Sequence, residues 1–125
     1  LQLDVSRLGR AGAHVLALGA HPDDIEIGAG GALLRLRALL PQATFRWLVL
    51  SGTPQRHAEA REAAEAFGAD HVELRAFPDA QLPAHAEAVK QELRLVADGA
   101  GQPDLVIAPW RHDRHQDHRL LGELV

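Results

Sequence analysis

Four short apolar runs, each followed by a stretch whose apolar residues recur every three or four positions, leave this chain few folds to choose from. The run from His14 to Ala20 ends in small residues and reads as a buried parallel strand. Phe45 to Leu50, His71 to Phe77 and Asp104 to Trp110 are the other strand candidates. Leu33, Leu36 and Leu40 mark a helix over 25–40 that Pro41 stops. Thr53-Pro54 reads as an N-cap with proline at the first helical position, and Ala60, Ala63, Ala64 and Phe67 then share one face up to Gly68. Ala86, Val89, Leu93 and Val96 give a third helix that the 98–103 stretch should stop, and Leu120, Leu121, Leu124 and Val125 open a fourth. This alternation predicts an α/β fold, a Rossmann-like three-layer sandwich with a mainly parallel sheet and right-handed crossovers. In a strand order beginning 3-2-1-4, strands one and four are neighbours and the topological switch point lies between their carboxyl ends.

Composition bounds what such a sheet could serve. A single domain over 1–125 fits the length, and 46% apolar with 24% charged residues is a globular balance. A net charge of -4 argues against a nucleic-acid groove or an anionic membrane surface as the main partner. With no cysteine there is no disulfide framework, thiolate metal site or catalytic thiol. No apolar run approaches the ~20 residues of a membrane span and the first residues lack the layout of a signal peptide, so a cytoplasmic protein is expected. Methionine is missing even at position 1, which points to a trimmed or partial chain.

The loop after the first strand poses a charge problem. His21-Pro22-Asp23-Asp24 sets two carboxylates side by side, which costs free energy unless a cation or a shared proton lies between them. A second polar stretch, His112-Asp113-Arg114-His115-Gln116-Asp117-His118, follows the fourth strand, so the 3-2-1-4 order would bring the two together where open sheets bind ligands. Two imidazoles and a carboxylate suit a divalent first-row metal such as zinc acting as a Lewis acid. Pro22 biases His21 toward extended backbone, aiming its ring past the strand end while Asp24 returns to the same point. Asp23 is then left to take a proton from a metal-bound water, whose pKa the ion lowers toward about 7.

Each piece has an ordinary explanation when taken singly. An Asp-Asp pair after a strand is commonly a solvated loop or an N-cap, and a His-rich loop is commonly surface. Their pairing at adjoining strand ends is what argues for a site. His14, His57, His71 and His85 lack such partners and are assigned to the core edge or solvent, Arg35 and Arg37 to a solvated helix face, and Trp110 to packing rather than to a sugar ring. Gly28, Gly30 and Gly31 each cost about 1 kcal/mol against alanine in a helix, which implies close backbone approach. Their spacing is not that of a dinucleotide-binding turn, leaving packing against the sheet and the metal loop.

The same residues resemble the PIG-L/LmbE-like metal-dependent deacetylases. The likeness lies in His21-Pro22-Asp23-Asp24 with Glu26 and Gly28 to Gly31, in Arg56-x-x-Glu59-Ala60 running through Ala63-Ala64 to Gly68, and in His115-Gln116-Asp117-His118-Arg119. The resemblance implies hydrolysis of an N-acetyl group on an N-acetylglucosamine-type sugar or glycoconjugate, with zinc or another divalent first-row metal as cofactor. It implies His21, Asp24 and His118 as metal ligands and Asp23 as the general base that later protonates the leaving amine. His115, oriented by Asp117, would stabilise the tetrahedral oxyanion, and Arg56 would reach the substrate. A small-molecule substrate is the expected partner, with a homo-oligomer as a further expectation. Family members usually continue well beyond the second histidine motif, so later strands and part of the pocket are expected to be missing here.

Three other readings compete. Two histidines and a carboxylate also serve non-haem iron oxygenases, but on all-β scaffolds that the helix periodicities oppose. A nucleotide-binding Rossmann-like module would make the glycines central and bind a nicotinamide cofactor without metal. A catalytically silent metal-binding domain would hold the ion and release no acetate.

Overall fold

A computed structural model describes residues 4–125, so the first three residues of the expected 1–125 domain lie outside it. The strands are β1 (His14–Gly19), β2 (Thr44–Ser51), β3 (His71–Phe77) and β4 (Leu105–Ile107). The α-helices are α1 (Asp24–Leu39), α2 (Pro54–Ala66), α3 (Ala86–Ala100) and α4 (Gln116–Leu124). All strands pair in parallel in the order β3-β2-β1-β4, the expected order, which makes β1 and β4 neighbours.

Strand β1 is buried along its whole length, and pleating sorts its side chains. Val15 and Ala17 join Phe45, Trp47 and Val49 beneath Leu33 and Leu36 of α1 and Ala64 of α2. Leu16 and Leu18 join Leu48 and Leu50 beneath Val89 and Val96 of α3 and Leu121 of α4. A strand apolar on both faces is what a central parallel position requires, and it produces the three layers. Thr53 caps α2 by accepting the Arg56 N–H at 3.4 Å, with Pro54 at the first helical position as expected. No helix among the described residues is long and apolar enough to cross a membrane.

Several local expectations are corrected. Helix α3 continues through Asp98 and Gly99 to Ala100 and stops where Gly101 takes a φ of +80°. Strand β4 is shorter than expected, because its pairing to β1 ends at Ile107 and Pro109 has no N–H with which to extend a ladder. Arg37 is not on a solvated face: its guanidinium donates to the Ala43 carbonyl at 2.9 Å and to Asp70 at 3.0 Å, and lies 5.0 Å from the Phe45 ring centroid. Of the glycines in α1, Gly30 is the one that packing demands, since a Cβ there would lie 2.6 Å from Cε1 of Phe67. The close approach is therefore between α1 and the end of α2, rather than onto the sheet or the metal loop. A Cβ at Gly28 or Gly31 would meet open space.

Candidate metal centre

The two polar loops leave the carboxyl ends of neighbouring strands, and they meet. Ser51, the last residue of β2, donates its hydroxyl to the Ala20 carbonyl at 2.7 Å and so ties the base of the first loop to the sheet. Gly52 follows with a φ of +134°, and a Cβ there would lie 2.7 Å from Pro22, so the β2–α2 turn can press against that loop only without a side chain. The His21 N–H donates to Asp24 Oδ2 at 2.8 Å, which curls the loop until both side chains face one point. His118 arrives there from the first turn of α4.

Three donor atoms form a triangle. His21 Nδ1 lies 3.2 Å from His118 Nε2 and 3.3 Å from Asp24 Oδ2, and His118 Nε2 lies 3.0 Å from Asp24 Oδ2. Ligands placed about 2.0–2.1 Å from a tetrahedral zinc ion are about 3.3–3.4 Å from one another, so the triangle matches one face of such a polyhedron. These residues fit a divalent ion.

Each imidazole of the triangle sets its other nitrogen against a carboxylate. His21 Nε2 lies 3.1 Å from Asp117 Oδ2, and His118 Nδ1 lies 3.4 Å from Asp113 Oδ1. Such partners fix the tautomer and the ring plane of a metal-binding histidine. Asp117 is fully buried, and its Oδ1 accepts the Leu82 N–H at 3.0 Å. Its carboxylate therefore orients His21, and the expected hold of Asp117 on His115 is made by its backbone. His115 uses Nδ1 to accept the Asp117 backbone N–H at 3.2 Å and caps α4. Replacing Asp117 by alanine strands the buried Leu82 N–H and releases His21, so a urea melt should show a loss of about 3–5 kcal/mol. Asp117→Asn, which keeps an acceptor, should lose less than half of that. An unchanged midpoint for the alanine variant would remove Asp117 from this role.

The remaining expected residues border the triangle. The His115 ring centroid lies 4.6 Å from that of His21 and 5.0 Å from that of His118, and the three rings each offer a nitrogen within 4.8 Å of the others. Asp23, half exposed, has Oδ2 3.0 Å from the guanidinium of Arg56 on the first turn of α2. His112 is exposed and edge-on to Trp110 at 5.6 Å. Two acids gain a role that the sequence did not give them. Asp79 lies 3.1 Å from His21 Nε2 and follows β3 outside any motif; its one signal is Pro78-Asp79, a third polar strand end. Asp113 sits within the His-rich loop, where its fifth-residue offset from His118 gave no helical or strand pairing to read.

A proton can occupy the triangle in place of a metal. The hydrogen bond to Asp24 raises His21 against the opposing effect of its burial, and the neighbouring Asp117 and Asp79 add to it, bringing the imidazole to about 9. Burial pushes the Asp24 carboxyl up, but the His21 and His118 imidazoles outweigh it and hold it below its ordinary range. His21 therefore stabilises the metal-free fold in full below its ordinary pKa of 6.5, and that contribution is lost as pH rises through about 9. An ion held at these residues would have to displace this proton, so its binding would release protons and tighten as pH rises.

Two cavities flank the triangle. One, of about 470 Å³, is bordered by polar Ser51, Thr53, Arg56, Asp79 and His115 and by apolar Pro22, Phe77 and Pro78. The other, about 490 Å³, lies between α1 and the β4–α4 loop, walled by Ile25, Ile27, Gly28, Ile107 and Pro109 and reaching Asp24 and His118. Asp23 borders both. Trp110 stands on the second cavity and is 68% exposed, so the packing role assigned to it from sequence is corrected.

Fold and site together define a class: a Rossmann-like α/β domain that carries a His-Asp-His donor set at the switch point of its sheet. Residues 16–125 match the PIG-L family, described as GlcNAc-PI de-N-acetylase, and the chain belongs to that family. It is 32% identical over 113 residues to the uncharacterized deacetylase YaiS of Escherichia coli strain K12, an alignment covering 83% of this chain and 61% of that protein. It is similar in structure to the N,N'-diacetylchitobiose deacetylase from Pyrococcus horikoshii in complex with its inhibitor MPG, with a TM-score of 0.77 and 25% identity. That match covers 98% of this chain and 51% of the other, so the chain spans between half and two thirds of the length of these relatives.

Proposed function

We propose that this domain is the metal-bearing part of an N-deacetylase that releases acetate from an N-acetylglucosamine-type sugar or glycoconjugate, with zinc or another divalent first-row ion as cofactor. The observation that carries this reading is the triangle of His21 Nδ1, Asp24 Oδ2 and His118 Nε2, in a chain whose relatives are deacetylases. Those residues would hold the ion, which when bound supplies Lewis acidity. Asp23, on the border of both cavities, takes a proton from the attacking water and returns it to the leaving amine. Arg56 positions that carboxylate through their 3.0 Å contact and, half exposed, reaches hydroxyl groups of the substrate. His115 donates a hydrogen bond to the oxygen that gains negative charge as the carbonyl carbon becomes tetrahedral. Asp117 stays buried and holds His21 in place.

Elemental analysis of the purified protein, combined with acetate release from a panel of N-acetylated sugars, tests the reading. Bound divalent metal and released acetate are expected together. Metal bound without acetate from any sugar would leave a silent metal-binding domain. Nicotinamide binding without metal would make it a nucleotide module.

A further inference from the structure

Resting on the metal-binding reading above, we infer that His57 is a positioning residue of the centre: from the first turn of α2 it braces the loop that carries His21, Asp23 and Asp24. The sequence assigned His57 to the core edge or solvent for want of a partner, and the structure supplies one. Pairing of β2 with β3 slips between Val49 and Ser51, so the ladder is irregular where β2 ends. A side chain steadies that end. His57 Nε2 lies 3.2 Å from the Ser51 carbonyl oxygen, while the His57 backbone N–H donates to the Thr53 carbonyl at 2.8 Å. A carbonyl only accepts, so Nε2 carries the proton and the ring is held in one tautomer. Ser51 passes the restraint on. Its backbone N–H and its hydroxyl donate to the Ala20 carbonyl at 3.0 and 2.7 Å, and the next residue is His21.

Packing acts on the same loop. A Cβ on Gly52 would lie 2.7 Å from Cγ of Pro22, 2.8 Å from Cδ2 of His57 and 2.9 Å from its Nε2. Both rings therefore converge on the space that a Gly52 side chain would fill, and the imidazole occupies the room into which Pro22 would otherwise relax. Pro22 joins His21, a proposed ligand, to Asp23, the proposed base. Arg56, the neighbour of His57 on the helix, makes the 3.0 Å contact to Asp23. One ring thus restrains the loop at Ala20 and at Pro22, and through the helix turn it anchors it also steadies Asp23. His57 is not among the residues bordering either cavity, so its influence on ion and substrate runs through these contacts.

Three variants test the brace. His57→Gln keeps an N–H at the position of Nε2, His57→Asn is one methylene too short to reach the Ser51 carbonyl, and His57→Ala removes ring and donor alike. Zinc affinity of the folded proteins, measured by competition with a chelator, should weaken about tenfold in the alanine and asparagine variants. The glutamine variant should stay within about threefold of the wild type, a rescue that a merely structural role would not produce. In the zinc-free protein, the loop's own hydrogen bonds protect the amides of His21 and Asp24. Their hydrogen exchange should quicken about tenfold in the alanine and asparagine variants, close to the worth of one hydrogen bond, and far less in the glutamine variant. Equal zinc affinities in all four proteins, or equal loop exchange, overturn the inference, as does a glutamine variant no better than the asparagine one. A wild type that binds no zinc would count against the metal-binding reading, and the exchange rates then decide the brace by themselves. Should the variants fail to fold, the nitrogen-15 spectrum of the wild type in mildly alkaline solution is the remaining measurement. It should show the His57 proton on Nε2, and a proton on Nδ1 overturns the inference.

Discussion

Asp24→Ala is expected to empty the centre of metal, weakening zinc affinity by more than about 100-fold, because this one residue serves the triangle twice. Its Oδ2 lies 3.0 Å from His118 Nε2 and 3.3 Å from His21 Nδ1, and the same oxygen accepts the His21 N–H that curls the loop. Alanine removes a ligand and also the contact that presents a second one. His118→Ala should lose metal to a similar degree, whereas His71→Ala, at an exposed position on β3, should not. Competition against a chromophoric chelator measures all of these. Equal affinities across the variants would show that the triangle does not bind the ion.

Asp23→Asn should give the opposite separation, with metal retained and turnover reduced by roughly 10²- to 10⁴-fold. Asp23 and Asp24 are chemically identical neighbours, and their surroundings divide the work between them. Asp24 is 16% exposed and enclosed by two imidazoles, while Asp23 is 50% exposed and turned to Arg56. The amide keeps the shape of the side chain and can still accept from the guanidinium, so the loop should hold while the base is gone. Loss of metal from this variant would place Asp23 among the ligands. Undiminished turnover would move the base to another group.

The sheet was legible because β1 and β2 must bury both faces, and only a continuous apolar run can do that; of the two orders common for such a start, 3-2-1-4 is the one that brings the two polar loops together. The meeting of His21, Asp24 and His118 was legible for the same reason, once two polar loops were assigned to neighbouring strand ends. What escaped was set by partners distant in the chain. Gly30 answers to Phe67 and Arg37 to Asp70, neither of which shares a local pattern with it. Asp79 enters from β3, which does not adjoin β1 in the sheet, so no loop-pairing argument reaches it. The carboxylate of Asp117 could be assigned to a nearby histidine in the motif, but a buried group bonds to whatever the fold brings, here His21 and the Leu82 N–H.

That buried carboxylate sets a timetable for the chain. Asp117 reaches His21 across 96 positions and Leu82 across 35, so it fastens the loop after β1 to the segment ahead of α3 by means of α4. Contacts of such long range form late, because the entropy of closing the intervening loops must be overcome before they yield any stabilisation. A nascent chain can lay β1 beside β2 as soon as both have been made, yet it has no complete triangle until α4 has docked and delivered His118 and Asp117 in the same turn. An ion held by the proposed ligands would therefore be bound only after β4 has joined the sheet and α4 has docked.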